Sequence, residues 1–125
     1  MDYSKLVRQA LQEVLENSGE PHRFFSAGYE QTVNGKKLNF MQFCKHIACL
    51  RKTLEKTEVK ILSLATEGNN VHSHHLIKAI KAAGDISEFE VFARFRCEAG
   101  KIVACYELTR QLSGDIKDEG LASRL

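Results

Sequence analysis

The sequence lacks the features that mark a membrane-bound, secreted or nucleic-acid-binding protein. It has one proline in 125 residues, and no stretch approaches the roughly 18 apolar residues of a bilayer-spanning helix. The net charge of +2 comes from basic residues scattered among acidic ones, which argues against nucleic acid or a membrane surface as a partner. The first 19 residues carry charges throughout, so we expect no signal peptide and a cytoplasmic protein.

Motifs for metals, cofactors and activated nucleophiles are also missing. The four cysteines form no C-x-x-C pair, and on a helix Cys44 and Cys49 would point about 140° apart. We therefore interpret the cysteines as reduced, buried thiols and expect neither a metal nor a cofactor. The sequence has no glycine-rich phosphate loop and no nucleophile elbow, which excludes phosphoryl transfer and serine or cysteine hydrolysis.

Two helices are predicted in the first half of the chain. Apolar residues recur at helical spacing over residues 3–17, before Gly19 and Pro21 end the pattern. A second helix begins after Asn39, which forms a capping box with Gln42, and fades near residue 56. An Asn-Gly pair between the two helices predicts a tight turn.

The second half of the chain has the period of two that is typical of strands. A turn at residues 68–70 separates two strands, although the segment from Leu76 to Asp85 could also be helical. A hairpin follows, with its turn at Gly100-Lys101. Helices followed by strands predict an α+β domain over residues 1–125, with the helices on one face of the sheet.

The last strand is apolar on both faces, which predicts assembly. Strict alternation divides it into two faces: Ile102, Ala104, Tyr106 and Leu108 against Val103, Cys105, Glu107 and Thr109. A strand that is apolar on both faces is covered on both, and the helices of so small a domain can cover only one. A second copy of the chain would cover the other face, so we expect a homodimer.

Two segments carry a family resemblance. "HRFFSAGYEQTVNGKKLNFMQFCKHIACLR" and "GKIVACYELTRQLSGD", with the closing "GDIKDEGLASRL", resemble SnoaL-like members of the nuclear transport factor 2-like superfamily. The resemblance implies a cone in which helices pack on a strongly curved antiparallel or mixed sheet around an apolar pocket. Relatives of this type include polyketide cyclases, ketosteroid isomerases, dehydratases and non-catalytic binding proteins, so the fold alone does not define the function.

The same resemblance implies a role for Glu107. In the cyclases the working acid lies on the final strand, five residues after the isoleucine of a Gly-Lys-Ile turn, and that position here is Glu107. Burial in an apolar cone would raise the pKa of this carboxyl group and suit it to general acid or base catalysis. The cyclases pair the acid with a histidine on the preceding strand, where this chain has Ala93. Thr32 likewise stands where closer relatives often have a histidine, so the cyclase set is incomplete.

The predicted ligand-binding residues border the implied cavity: Tyr29, Gln31, Phe43, His46 and His74. His46 lies at the edge of the apolar stripe of the second helix, where a side chain can face a cavity. The motif His72-Ser73-His74-His75 leaves open which face of its strand lines the pocket. Two of its histidines could bind a metal only with a third ligand from elsewhere in the chain.

A structural role remains open for each of these residues. Glu107 could be a buried acid that is hydrogen-bonded to a tyrosine, a histidine or a backbone amide, or paired with an arginine such as Arg94 or Arg96. The tyrosine and histidines could be satisfied core or surface groups. Two functions are therefore consistent with the sequence. The first is a cofactor-free isomerase, cyclase or lyase acting on a small hydrophobic or carbonyl-containing molecule. The second is a non-enzymatic homodimer that binds a hydrophobic ligand or another protein.

Overall fold

The structure, a computed structural model, describes residues 2–118. The N-terminal helix α1, Ser4–Ala10, continues without a break into a π-helical segment, Leu11–Glu16. The predicted helix over residues 3–17 is thus confirmed in extent, but its second half has the wider π geometry. Long π segments are rare and are frequently found at functional sites. A single 3-10 turn, Pro21–Arg23, then leads into the sheet.

The second helix, α2, Phe40–Thr53, begins as the sequence predicts. Asn39 Oδ1 accepts from the Gln42 backbone N–H at 2.9 Å, and Gln42 Oε1 accepts from the Asn39 backbone N–H at 2.9 Å. This reciprocal pair satisfies N–H groups that the first turn would otherwise leave unpaired. The helix buries Phe43, His46 and Ile47 against the sheet.

Six strands form one mixed sheet with the order β2-β1-β6-β5-β4-β3. The strands have the following bounds: β1 Phe25–Val33, β2 Lys36–Asn39, β3 Leu54–Glu67, β4 Asn70–Lys81, β5 Ile86–Glu98 and β6 Lys101–Ser113. All neighbours are antiparallel except β1 and β6, which run parallel. The α+β cone expected from the sequence is confirmed, and the segment after Leu76 is a strand as far as Lys81.

Two tight turns depend on residues in the left-handed region of backbone space. Asn34 and Gly35 have φ values of 50° and 85° between β1 and β2, as an Asn-Gly hairpin turn requires. Ala99 and Gly100, with φ values of 50° and 79°, form the turn between β5 and β6. That turn lies one residue earlier than the sequence predicts.

A bulge near the start of β6 changes which side chains face inward. Ile102 pairs with Cys97, whereas Ala104 pairs with Arg96, so Val103 is an extra residue in the ladder. The division of this strand into two strictly alternating faces is therefore wrong at its beginning. Ile102 is fully buried on the inner face, and beyond the bulge Cys105 and Glu107 lie on that face.

The core lies between the inner face of the sheet and the helices. Its largest fully buried side chains include Val7 from α1, Tyr29 from β1, Phe89 and Val91 from β5, and Ile102 from β6. Burying a side chain of this size contributes about 1.5–3 kcal/mol. In residues 2–118 no helix is both long enough and apolar enough to cross a membrane.

Candidate functional site

The core is not completely filled. A cavity of about 100 Å³ lies between the π-helical segment, α2 and the inner face of the sheet. Its walls are mostly apolar, and a few polar side chains project into it: Tyr29, Gln31, His46, Thr57, His75 and Glu107. This volume is smaller than the roughly 150 Å³ of a cavity that holds benzene, so a ligand with a six-membered ring would extend beyond it.

Three aromatic rings form one wall of the cavity. Phe25 and Tyr29 from β1 meet edge to face at 4.6 Å between centroids, and Phe43 from α2 lies 4.8 and 5.1 Å from them. Contacts of this kind are worth about 0.5–1.5 kcal/mol beyond area burial. The wall is therefore rigid, and it fixes where the Tyr29 hydroxyl points.

Glu107 projects from β6 into this apolar space without a cationic partner. Thr109 Oγ1 donates to Glu107 Oε2 at 2.7 Å, and the Cys105 thiol lies 3.8 Å from Oε1. Burial raises the pKa of Glu107, and the hydrogen bonds from Thr109 and Cys105 oppose this shift only in part. One carboxyl oxygen is thus held and the other has only a weak thiol contact, while the half-buried side chain lines the cavity.

The arginines that could have neutralised Glu107 lie on the outer face of the sheet. Arg94 stacks over the Tyr106 ring at 4.7 Å, and Arg96 pairs with Glu98. Within residues 2–118 Glu107 makes no ion pair. The alternative in which an arginine compensates for this acid is therefore wrong.

Tyr29 and Gln31 form a second polar group beside Glu107. The Tyr29 hydroxyl donates to Gln31 Oε1 at 2.9 Å, and both side chains are buried. Burial is the main reason that the pKa of Tyr29 is raised, with Cys105 and Glu107 adding to it. The pKa of the Cys105 thiol is also raised, chiefly by burial and then by Glu107. At neutral pH these groups are hydrogen-bonding groups rather than charges.

The histidines do not all lie where the sequence predicts. His46 is buried and lines the cavity together with Phe43. His74 points to the outer face, where it stacks on Phe92 at 4.1 Å and contacts Glu90 Oε2 at 2.7 Å. The prediction of His74 as a pocket residue must therefore be corrected.

The histidine of β4 that lines the cavity is His75, which was not among the predicted ligand-binding residues. Alternation along β4 turns Val71, Ser73, His75 and Ala79 inward, all of them buried. The alternation of inward and outward residues along β4 points to His75, but apolar residues on both faces of the strand obscure that alternation in the sequence. Burial, with a smaller effect of His74, lowers the pKa of His75 from 6.5 to about 4.

The cavity continues outward into a wider, polar hollow. A space of about 370 Å³ shares six lining residues with the cavity and adds charged ones at its rim: Glu16, Arg51, Glu55 and Lys56. Arginine and lysine are absent from the described residues that line the cavity itself. The inner space therefore suits an uncharged molecule, and polar extensions of such a molecule would reach the hollow.

Among residues 2–118, no three histidine, cysteine or acidic side chains are grouped closely enough to hold one metal ion. The chemistry available in the cavity is proton transfer and hydrogen bonding. Burial raises the pKa of Glu107, which suits its carboxyl group to proton exchange, while Tyr29, Gln31 and His75 can orient an oxygen atom.

Solved structures with the same architecture define the class of fold. A SnoaL-like polyketide cyclase, so described, from Jannaschia sp. CCS1 superposes with a TM-score of 0.70 and 14% identity, covering 84% of this chain and 83% of the other. IdmH of Streptomyces antibioticus, described as a polyketide cyclase, gives 0.75 and 10% over 87% and 92%. An LEH-like epoxide hydrolase of M. tuberculosis gives 0.72 and 16% over 92% and 84%.

The chain has the fold of these SnoaL-like proteins, which confirms the fold that the sequence resemblance implies. It belongs to the same family as the uncharacterised protein C11D3.04c of Schizosaccharomyces pombe (strain 972). The two are 30% identical over 100 residues, which is 80% of this chain and 77% of the other. No family model matches the sequence.

Proposed function

We propose that residues 1–125 act as one SnoaL-like domain that binds a small, uncharged, mostly apolar molecule carrying a carbonyl group. Glu107 would exchange a proton with this molecule, as in a cofactor-free isomerase, cyclase or lyase. The observation that supports the proposal most directly is that Glu107 lines an apolar cavity, has one oxygen held by Thr109 and makes no ion pair within residues 2–118.

The proposed step needs no oxidant or metal. The Glu107 carboxylate takes a proton from the carbon next to the carbonyl, and the electron pair of that C–H bond moves toward the carbonyl oxygen to give an enolate. The new carboxylic acid then returns a proton to the ligand. The raised pKa of Glu107 brings its proton affinity closer to that of the ligand carbon and favours this exchange.

The experiment follows deuterium exchange into cyclohexanone by NMR, with the wild-type protein, Glu107→Gln and Thr32→Val. Thr32, on the outer side of β1 away from the cavity, provides a control that leaves the pocket intact. We expect wild type and Thr32→Val to accelerate exchange and Glu107→Gln to bind the ketone without doing so. Equal rates for Glu107→Gln and wild type would overturn the role of Glu107. Binding without exchange in any form would leave the non-enzymatic ligand-binding function.

An assembly function is supported by the outer face of the sheet. Three large apolar side chains lie exposed there on adjacent strands, and we call them the outer patch: Phe92, Tyr106 and Leu108. Phe92 and Leu108 are directly paired across β5 and β6. Arg94 lies on one side of the patch and the Glu90–Arg110 ion pair on the other, so the patch is an apolar centre with a polar rim.

We propose that a second copy of the chain covers the outer patch. Leu108→Glu is expected to convert a dimer to a monomer in sedimentation velocity, because a charge would be buried in the contact. Met41→Glu, a change at an equally exposed apolar residue on α2, should leave the dimer intact. A wild-type monomer at high micromolar concentration would contradict the proposal.

The four cysteines, all free in the structure, support a reducing compartment such as the cytoplasm.

A further inference from the structure

His75 is one of the most buried polar groups that line the cavity. Its side chain is 2% exposed, and Ser73 Oγ lies 3.0 Å from Nδ1. Both residues project inward from β4, so the contact holds the imidazole plane in one orientation. A histidine held in this way presents its other nitrogen, Nε2, in a fixed direction.

The direction of the Ser73 contact defines the tautomer. Ser73 Oγ has no other hydrogen-bond partner within residues 2–118, so its proton must go to Nδ1 to avoid an unsatisfied buried hydroxyl. Nδ1 is then the acceptor, and the single proton of the neutral ring is on Nε2. The low pKa of His75, about 4, agrees with a ring that stays neutral at physiological pH.

Nε2 is open to the cavity. Among residues 2–118, every fully buried side-chain nitrogen or oxygen has a hydrogen-bond partner. Nε2 of His75 has none among these residues, so it is not fully buried. This nitrogen must therefore be reachable from the empty space that His75 lines. The result is a preoriented N–H donor with no acceptor among residues 2–118.

His75 and Glu107 lie on the two strands that flank β5, one on each side of it. Ser73 and Glu107 both pair with Ala93 of β5, one from each side, so their Cα atoms are two strand spacings apart, about 10 Å. His75 and Thr109 are related in the same way through Val91. Two polar pairs, Ser73–His75 and Glu107–Thr109, thus face each other across an apolar floor.

We propose that the Nε2–H group of His75 binds the oxygen of the ligand at the pole of the cavity opposite Glu107, and that Ser73 is a positioning residue that selects this tautomer. The inference rests on the proposed ligand-binding function and narrows it. Because a neutral N–H group cannot compensate for a full negative charge in an apolar cavity, the ligand oxygen is a ketone, aldehyde or hydroxyl oxygen rather than a carboxylate.

The first test compares two ligands of nearly equal shape, cyclohexanone and methylenecyclohexane, which differ in the oxygen. Binding is measured by NMR titration of wild type, His75→Phe, His75→Gln and Glu107→Gln. We expect His75→Phe to weaken cyclohexanone about fivefold and to leave methylenecyclohexane unchanged, while His75→Gln keeps a donor and loses less. Cyclohexanecarboxylate should not bind to wild type.

The second test needs no ligand. Long-range ¹H–¹⁵N spectra report which ring nitrogen of His75 carries the proton, and we expect Nε2–H in wild type and a mixture of tautomers in Ser73→Ala. A wild-type Nδ1–H tautomer would overturn the inference. So would a ketone affinity that responds to Glu107→Gln but not to either His75 variant, and in that case the pocket function stands. Failure of wild type to bind either ring compound would overturn both proposals. If His75→Phe does not fold, the His75→Gln titration and the Ser73→Ala spectra decide.

Discussion

Thr109 and Glu107, two residues apart on the inner face of β6, are joined by a 2.7 Å hydrogen bond from the Thr109 hydroxyl to a carboxylate oxygen. Side chains at i and i+2 of a strand lie on the same face, so the bond holds the acid without crossing the sheet. It lowers the pKa of Glu107 but does not cancel the larger effect of burial, which raises it. The acid is therefore oriented and still poorly solvated.

This balance predicts how Glu107 affects stability. Its folded-state pKa is raised above 4.5, so its unfavourable contribution is absent below pH 4.5 and grows as the pH rises through the folded-state value. Glu107→Gln should therefore be more stable than wild type at pH 8, with the difference shrinking toward pH 4 in urea denaturation. Thr109→Val should raise the pKa of Glu107 further, which a ¹³C carboxyl titration would show. A variant less stable than wild type at pH 8 would contradict the prediction.

His75 predicts an opposite dependence on pH. Its pKa falls from 6.5 in the unfolded chain to about 4 in the folded protein, so below pH 6.5 the unfolded state binds more protons. The contribution to stability is complete above pH 6.5 and is lost as the pH falls toward 4, by on the order of 3 kcal/mol. The free energy of unfolding of His75→Gln, measured over the same range, should fall less steeply. If the free energies of unfolding of the two proteins change in parallel with pH, His75 does not cause the loss of stability in acid.

The four cysteines should differ sharply in reactivity. The expectation that all four thiols are buried is wrong for Cys49, which is exposed, and Cys44 is only partly buried. Cys97 and Cys105 are buried, and burial raises their pKa, that of Cys97 to about 11. Because the thiolate is the reactive form, iodoacetamide at pH 7.5 should label Cys49 first, Cys44 more slowly, and the buried pair only in urea. Mass spectrometry of timed samples identifies the labelled positions. Early labelling of Cys105 would mean that the cavity opens to bulk reagent.

Arg51 should be more important for stability than its exposed position on α2 suggests. One nitrogen of its guanidinium group, Nη2, donates to the Val14 carbonyl at 3.0 Å and to the Gly19 carbonyl at 2.6 Å. These bonds join the end of the π-helical segment to the second helix, and charged donors strengthen such bonds. Arg51→Ala should lower the free energy of unfolding by about 1–2 kcal/mol. Lys52→Ala, at a neighbouring exposed position, provides the control and should change it by less than about 0.5 kcal/mol.

The parts of the fold that the sequence predicts well are those determined by neighbouring residues. The Asn39 capping box and the Asn34-Gly35 turn depend on residues within four positions of each other, and both are confirmed. The parallel pairing of β1 with β6 and the bulge at Val103 depend on contacts between distant segments. No local pattern encodes those contacts, so the inward position of Ile102 was not predictable from alternation.

The candidate site, like the fold, is predicted from the sequence only in part. Ala93 lies opposite Glu107 as predicted, but the tight turn alone does not produce this pairing. The turn pairs Cys97 with Ile102, and the bulge at Val103 then shifts the pairs that follow by one residue. The choice between His74 and His75 required knowledge of which face of β4 packs on the helices. Leu76 and Ile77 make both faces of that strand partly apolar, so the period of two alone could not decide.

The position of β6 in the sheet has a consequence for biosynthesis. β6 is the last of the six strands to leave the ribosome, yet it lies between β1 and β5 and joins the two halves of the sheet. Until it is made, the nascent chain exposes two unpaired strand edges, and the cone cannot close. Such late, long-range pairing favours slow folding and makes incomplete chains prone to aggregation through these edges.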